Sequence, residues 1–329
     1  MPNLVYVAEI KEINSIENAD KIVQARVDCG EGGVWNGVVQ KDSFKLDDKC
    51  FVFLQDSILP PSEDYVFLQK GGWRIRMMRL RGCRSEVLIL PFDPSKVDTE
   101  AEIGTDITEV FGVTKYSKEL PTNIGGDPKG YFPSFIPKTD EVNFQKVGKM
   151  IRFIRENKIP VYVTQKQDGS SVTYFNHEGE FSACSRNLEL KFDDASTIWN
   201  VARLHDLANK MTGSEYAIQC EIIGPGIQKN PVGLEEVDIR IFNVYDIVNH
   251  KYLDYADVVS YCRYLEVEMV PVLDVNIYLP ETDDELVRMA EGKYQNGKQQ
   301  EGIVIRPLQE TDFYGERMSF KVINLLYKD

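Results

Sequence analysis

Lys166, Gln167, Asp168 and Gly169 stand together inside the run VYVTQKQDGSSVTYF. Apolar residues alternate on both sides: Val161 and Val163 before the lysine, Val172 and Tyr174 after the turn that Asp168-Gly169 suits. A lysine is ordinarily a solvated surface charge. Held at a strand end and packed between two buried strands, it loses hydration, and its amine can become a nucleophile near neutral pH. The same four residues also suit an ordinary hairpin with a polar turn, and the tetrapeptide alone leaves both readings open.

Further residues with chemistry to offer follow in order. They are Ser185-Arg186-Asn187, then QCEIIG with Glu221, then IFNVYD with Phe242, then EGIVIR opening on Glu301, then SFKVI around Lys321. Glu221 ends an apolar strand ahead of Gly-Pro-Gly, where a glutamate facing water is the plain alternative. GPGIQK is neither a Rossmann nor a Walker loop, since no Gly-Lys-Ser/Thr follows. Phe242 lies on IRIFNVYDI, facing opposite to Ile241 and Asn243, and reads equally as core. Glu301, a lone carboxylate ahead of an apolar strand, suits a metal-bound water.

Taken together, these segments span about 160 residues. In that order they resemble the motifs of the covalent nucleotidyltransferases, the ATP-dependent RNA and DNA ligases and the mRNA capping enzymes. The Ser-Arg-Asn segment and an accessory module at the N-terminal side resemble RNA ligases with an N-terminal OB domain (RNA ligase family 5). The resemblance implies an N-terminal all-β OB-like barrel followed by an α+β nucleotidyltransferase domain with antiparallel sheets. It implies a polynucleotide ligase that joins 3′-OH and 5′-phosphate RNA ends, at nicks in a duplex, through a lysyl-AMP intermediate. ATP would be the AMP donor, with Mg2+ or Mn2+ as the metal, and the protein would act as a monomer.

By the same resemblance Lys166 is the nucleophile, and Asp168 orients it or touches the ribose and the metal's waters. Gln165 reads the adenine edge, Phe242 stacks beneath the ring, and Glu221 accepts from the ribose hydroxyls. Glu301 and Asp168 serve the metal. Lys321 sits against the α-phosphate and lowers the Lys166 pKa by repulsion. Arg186 binds the acceptor 5′-phosphate. Two departures stand out. Relatives often carry Lys-x-Lys in the last motif, but here Ser319 precedes Lys321 and Ile323 follows it, which leaves Lys328 as a possible substitute. Relatives often have an arginine after a KTDE-like segment, where this chain has Val142 and Asn143. Two other readings remain open: a capping-type guanylyltransferase or DNA ligase, which usually carry their OB module after the catalytic domain, and a nucleic-acid-binding protein that no longer reacts.

Composition sets outer bounds. A chain of 329 residues suggests two domains, and 43% hydrophobic content supplies their cores. No apolar run approaches the length of a membrane span, and MPNLVYVAEI has no secretory signal pattern. Six scattered cysteines without a CxxC pair read as free buried thiols in a cytoplasmic or other reducing compartment. The three histidines form no zinc-like cluster. A net charge of -14 opposes nonspecific coating of nucleic acid. Yet Lys70, Arg74, Arg76, Arg79, Arg81 and Arg84 fall within fifteen residues without one acid, which suits either a phosphate-tracking patch or the solvated face of a strand pair.

Residues 1–112 read as the OB-like domain, with strands in LVYVAEIKEI, KIVQARVDC, VWNGVVQ, CFVFLQDSIL, WRIRMMRLRG and SEVLILPF, and a short helical turn at ENADKI. Residues 113–142 read as a proline- and glycine-rich linker. Tyr131, Phe132, Phe135 and Ile136 are too apolar for a free tether, so the linker should pack on the second domain. Residues 143–329 read as the catalytic domain, with helices expected over 143–157, about 194–211 and 283–292.

Overall fold

A computed structural model describes residues 3–116, 124 and 126–328; residues 117–123 and 125 of the expected linker lie outside the described residues. The chain divides into two compact units, Met1–Ser117 with Phe144–Gly148, and Lys118–Asn143 with Lys149–Asp329.

The strands of the first unit are β1 (Val5–Ser15), β2 (Ile22–Asp28), β3 (Val34–Gln40), β4 (Lys49–Phe53), β5 (Ser57–Ile58), β6 (Met78–Leu80), β7 (Cys83–Ser85), β8 (Leu88–Pro91) and β9 (Thr114–Lys115). Five make an antiparallel sheet in the order β3-β2-β1-β4-β8. The eleven residues of β1 let it serve two neighbours: its first half pairs with β4, and from Glu9 onward it pairs with β2 across a bulge between Ile10 and Glu12. Such a bulge bends the strand and sharpens its twist, as a small barrel requires. Gly104, Thr105 and Ile107 hydrogen-bond to Val7 and Val5, covering the edge that the first half would otherwise expose. Val5, Val7, Phe51, Phe53 and Leu59 fill the interior.

Two local expectations fail here. WRIRMMRLRG is not one long strand: Arg74 bridges Ile58 on β5, and Met78–Leu80 pairs with β7 in a separate hairpin that turns at Arg81-Gly82. ENADKI is a turn, with Asn18 at φ 57.

The second unit holds β10 (Pro128–Tyr131), β11 (Val161–Lys166), β12 (Ser170–His177), β13 (Glu180–Ser185), β14 (Leu188–Leu190), β15 (Tyr216–Ile223), β16 (Asp238–Asp246), β17 (Lys251–Tyr252), β18 (Val272–Ile277), β19 (Gly302–Pro307), β20 (Asp312–Phe313), β21 (Glu316–Arg317) and β22 (Phe320–Ile323). Its helices are α1 (Gly148–Glu156), α2 (Thr197–Leu204), α3 (Leu207–Lys210), α4 (Tyr255–Leu265) and α5 (Asp283–Met289). Two antiparallel sheets dominate, one of seven strands in the order β10-β14-β13-β12-β15-β16-β17 and one of four in the order β18-β11-β19-β22. Among the described residues no helix is long and apolar enough to cross a membrane.

The helix expected over 143–157 is α1, shorter at its start because Phe144–Lys146 form a tight turn assigned to the first unit. The one expected near 194–211 is broken into α2 and α3 where Asp206 takes a left-handed conformation at φ 55. Helix α5 starts on a capping box between Thr282 and Glu285. Helix α4 is not announced by the sequence. Tyr, Val and Cys dominate YADVVSYCRYL, and these are weak helix formers, so burial of Val258, Cys262 and Leu265 along one face supplies its stability.

Helices α2, α3 and α4 cover one face of the seven-stranded sheet, over Val172, Tyr174, Ile218, Cys220, Ile222 and Ile241. Across the other face runs the segment of residues 131–143. Ile136 is buried among Phe175, Cys184, Ala217, Tyr245 and Ile247, with Phe132 and Phe135 packed beside it. Tyr131 departs from expectation and is almost wholly exposed. Because Ile136 anchors this crossing, Ile136→Ala should destabilise the second unit by about 2–5 kcal/mol, and Ile136→Val by about 0.5–1.5 kcal/mol. Calorimetry of the full chain would read this as an earlier transition for that unit; equal midpoints for Ile136→Ala and the parent would refute the anchoring role.

Candidate active site

Strand β11 ends at Lys166, and β12 begins at Ser170 after a turn of three residues. Lys166 lies opposite Gly302 in the β11–β19 ladder, so the nucleophile candidate and Glu301 meet by register alone. The Lys166 ammonium donates to Glu301 Oε2 at 2.7 Å. Glu221, on β15, accepts from the Gly169 N–H at 3.0 Å. A side chain at Gly169 would meet Ile222 O at 2.2 Å, and one at Gly302 would meet Val322 O at 2.2 Å. Glycine at both positions lets neighbouring backbone close in on the lysine.

Three carboxylates therefore surround one cation. Burial lowers the Lys166 pKa, but Glu301, Glu221 and Asp168 outweigh it, and the net pKa is raised. Burial is the main cause that lifts Glu221 to about 8, opposed by Lys166 and assisted by Glu301 and Asp168. The net shift is thus opposite in direction to the lowering expected from Lys321. Lys321 does share a face of the four-stranded sheet with Lys166: it lies opposite Val304, which lies opposite Thr164, two residues before Lys166.

Asp168 is buried, with its carboxylate accepting from the Tyr327 hydroxyl. Phe242 is half-buried at a bulge where β15 and β16 slip register between Gln219 and Cys220. It falls on the face of β16 that carries Arg240, which lies opposite Glu221. Gln165 lies elsewhere. Adjacent residues of a strand face opposite ways, and its amide is committed to Lys293 O at 3.2 Å and Gln300 Oε1 at 2.7 Å. These contacts do not support the adenine-edge role. They make Gln165 part of a buried amide network that also holds Gln167 at 2.7 Å.

Arg186 is ion-paired with Asp140 on the crossing segment. The same segment is tied down residue by residue. Gln219 donates to Pro137 O at 2.7 Å, Thr139 and Ser171 share a hydroxyl contact at 2.6 Å, and the Lys321 N–H donates to Val142 O at 2.8 Å. Glu141 accepts from Arg306 at 2.6 Å and from Ser319 at 2.7 Å. Burial would raise the Glu141 pKa, but Arg306, Arg317 and these hydrogen bonds hold it below the ordinary value. Ser319, at the place where relatives carry a second lysine, is thus buried and turned to Glu141. Lys328 is exposed.

Sequence reading missed Tyr294, Tyr327 and the Glu141–Arg306 pair. Arg306 had a signal, an arginine inside the apolar run IVIRP, and Tyr294 a fainter one, an aromatic in the polar loop EGKYQNGKQQ. Among the described residues no three His, Cys, Asp or Glu side chains are arranged as direct ligands of a metal.

Glu221 has a testable consequence. Its folded pKa of about 8 stands above the ordinary 4.5, so between those values the native state holds a proton that the unfolded chain has released. Stability from this group is present below about pH 4.5 and is lost as pH rises towards 8. Glu221→Gln keeps an acceptor for Gly169 and removes the titration. Its unfolding free energy relative to wild type should rise from pH 5 to pH 8.5 by about 1–3 kcal/mol. Urea titrations across that range check this, and a constant difference at all pH values would contradict it.

An RNA ligase family model matches residues 159–323 and an OB-fold domain model matches residues 4–92. No curated protein matches the chain. Solved structures of an RNA ligase from Naegleria gruberi are similar over almost the whole length. A mutant of that enzyme with ATP and Mn superposes with a TM-score of 0.83 at 33% identity, covering 98% of this chain and 97% of that one. A mutant in the apo form gives 0.82 at 32% identity, covering 98% and 96%. The form with PPi gives 0.82 at 32% identity, covering 98% and 97%.

Proposed function

The chain belongs to the RNA ligase family, and from that premise we propose how this ATP-dependent RNA ligase works. The observation that carries the reading is the buried strand end that holds Lys166 Nζ at 2.7 Å from Glu301 in an acid-rich site. The Lys166 amine, once free of its proton, attacks the α-phosphorus of ATP; a P–N bond forms, the bond to the β-phosphate oxygen breaks, and pyrophosphate leaves. The AMP then passes to an RNA 5′-phosphate: a phosphate oxygen attacks, the P–N bond breaks and the amine is restored. A 3′-OH finally attacks the activated 5′-phosphorus and AMP departs. Its substrates are RNA ends bearing 3′-OH and 5′-phosphate, held at nicks in a duplex, and the enzyme acts as a monomer. Its six free cysteines support a reducing, cytoplasmic setting.

Roles follow from position. Glu301 holds Lys166 until ATP binds. Glu221 and Phe242 share a face beside it and suit the ribose and the adenine ring. Lys321 and Arg186 supply cations to phosphates. With Glu221 holding its proton, Asp168 and Glu301 still outnumber the one lysine beside them, a charge surplus that fits a divalent cation. Asp168 and Glu301 would hold Mg2+ or Mn2+, which supplies positive charge against the phosphate charge that builds as the P–O bond breaks. We also propose the domain boundaries 1–112, 113–142 and 143–329. The two compact units support two domains, with residues 144–148 joining the first.

Lys166→Ala and Lys166→Arg should both abolish transfer of AMP to the protein, because alanine has no amine and guanidinium keeps its proton. Labelled ATP with Mg2+ or Mn2+ on a denaturing gel reads this. Label retained in either variant excludes Lys166 as the nucleophile, and label from GTP rather than ATP indicates capping chemistry.

The arginine-rich stretch divides by structure. Arg74 is ion-paired with Asp56 at 2.7 Å and lies 3.7 Å over the Tyr116 ring, so it supports the fold. Arg79 and Arg81 belong to the β6–β7 hairpin, beside exposed Met78 and Leu80. Replacing Arg79 and Arg81 together should weaken RNA binding and flatten its log–log salt slope by roughly 0.7 to 0.9 for each RNA phosphate left unneutralised. Labelling by ATP should stay unchanged, whereas Arg74→Ala should lower stability. An unaltered salt slope in the double variant would remove the hairpin from the RNA-binding surface.

A further inference from the structure

One phenolic oxygen touches the backbone of all three residues at the centre of the site. The Tyr294 hydroxyl donates to Lys166 O at 3.0 Å. It accepts from the Asp168 N–H at 3.1 Å and from the Glu301 N–H at 3.1 Å. A phenol has one donor and two acceptor lone pairs, so these contacts use its full capacity. Burial is the main cause that raises its pKa, with Glu301 adding to it, so the group stays a neutral hydroxyl able to donate and accept at once.

These contacts fall where the sheet stops helping. The β11–β19 ladder ends at the Lys166–Gly302 pair. Past it the two chains part, Asp168 into its turn and Glu301 back into its loop, and strand pairing no longer fixes their separation. The loop that brings Tyr294 there is itself held. Its N–H donates to Lys298 O at 2.8 Å, the Gly297 N–H donates to Tyr294 O at 2.9 Å, and Gln165 donates to Lys293 O at 3.2 Å. The buried Gln165–Gln300 amide pair therefore anchors this loop to the strand that carries the nucleophile.

We propose that Tyr294 is a positioning residue for nucleotidyl transfer. It extends the register of β11 and β19 past the end of their ladder, so that the Lys166 amine and the carboxylates of Asp168 and Glu301 keep one mutual geometry while ATP binds and reacts. This inference rests on the ligase mechanism proposed above. Its hydroxyl reaches backbone and not side chains, so it acts on placement and leaves nucleotide affinity largely alone. Losing about an ångström of alignment at a reacting centre lowers a rate by roughly ten- to a hundredfold.

The test is single-turnover labelling of the full-length protein by labelled ATP with Mn2+, over a range of ATP concentrations. Tyr294→Phe removes only the hydroxyl. Its maximal labelling rate should fall roughly ten- to a hundredfold, while the half-saturating ATP concentration stays within roughly threefold. Tyr174→Phe is the control: it removes another buried hydroxyl of the same unit, one that donates to Ile198 O at 2.7 Å in the helical core. That variant should lose thermal stability and keep the parent's labelling rate. A Tyr294→Phe rate within twofold of the parent overturns the proposal. So does a loss of rate and ATP affinity together that Tyr174→Phe reproduces at a matched drop in melting temperature, since that is a structural effect. A parent protein that takes no label at all sinks the ligase mechanism and this inference with it, whereas a labelled parent with an unaffected Tyr294→Phe sinks the inference alone.

Discussion

Two opposed requirements meet between Lys166 and Glu301. A nucleophilic amine must lose its proton, yet a lysine at a buried strand end must be held in one place before any substrate arrives. The ion pair at 2.7 Å meets the second requirement at the expense of the first. Burial by itself would ease deprotonation, but Glu301, Glu221 and Asp168 together reverse that effect. Lys166 at rest is therefore a protonated ammonium held in place. Positive charge brought to these carboxylates would weaken their hold on the proton and favour the free amine. An enzyme arranged this way does not carry an exposed reactive amine between turnovers.

That pair imposes conditions on the backbone around it. Lys166 and Glu301 meet because β11 and β19 are paired in one register, and a slip of one residue would turn the lysine to the opposite face. The glycines of the two motifs have the same origin. Gly169 lies so close to Ile222 O, and Gly302 to Val322 O, that a β-carbon at either position would overlap a carbonyl oxygen. The turn after the lysine is pinned between β15 and the Tyr294 loop, with its N–H groups at Gly169 and Asp168 taken by Glu221 and Tyr294. Placement here is thus mainly a property of backbone, which side chains then complete.

This division explains what could be read from the sequence. Lys166, Glu221 and Glu301 were legible because each stands at the end of an alternating or apolar run, where period and residue type together mark a special position. The antiparallel sheets of the second domain were legible for the same reason. Tyr294 was not, because its loop has no period and its contacts go to backbone, which leaves no complementary residue type to find. Gln165 is harder to read, because residues adjacent in a strand face opposite ways and its amide contacts lie in a loop distant in sequence. WRIRMMRLRG misled because β propensity describes fitness for a half-buried surface, and this stretch is divided between a bridge to Ile58 and the short β6–β7 hairpin. Helix α4 was hidden by weak formers whose burial, invisible locally, decides the outcome.

The crossing segment and the site share one further principle. Four cations in and beside the site have carboxylate partners: Lys166 has Glu301, Arg186 has Asp140, Arg306 has Glu141 and Arg317 has Glu310. The chain as a whole carries a net charge of -14. A stray polyanion thus meets a repelling body, and its attraction to these cations is largely cancelled in advance. Exchange of a carboxylate for a phosphate is favourable only where several such contacts form together with the right geometry, since each displaced acid must return to water or find another partner. The partners differ in how easily they can be exchanged. Asp140 is exposed and Arg186 half-buried, so that pair opens into solvent at little cost. Arg306 is 1% exposed, and removing its carboxylate would leave a buried charge uncompensated. The Arg186–Asp140 pair is therefore suited to trade places with a substrate phosphate. The Glu141–Arg306 pair instead fixes the crossing segment, and through Val142 the strand of Lys321, as a permanent part of the fold.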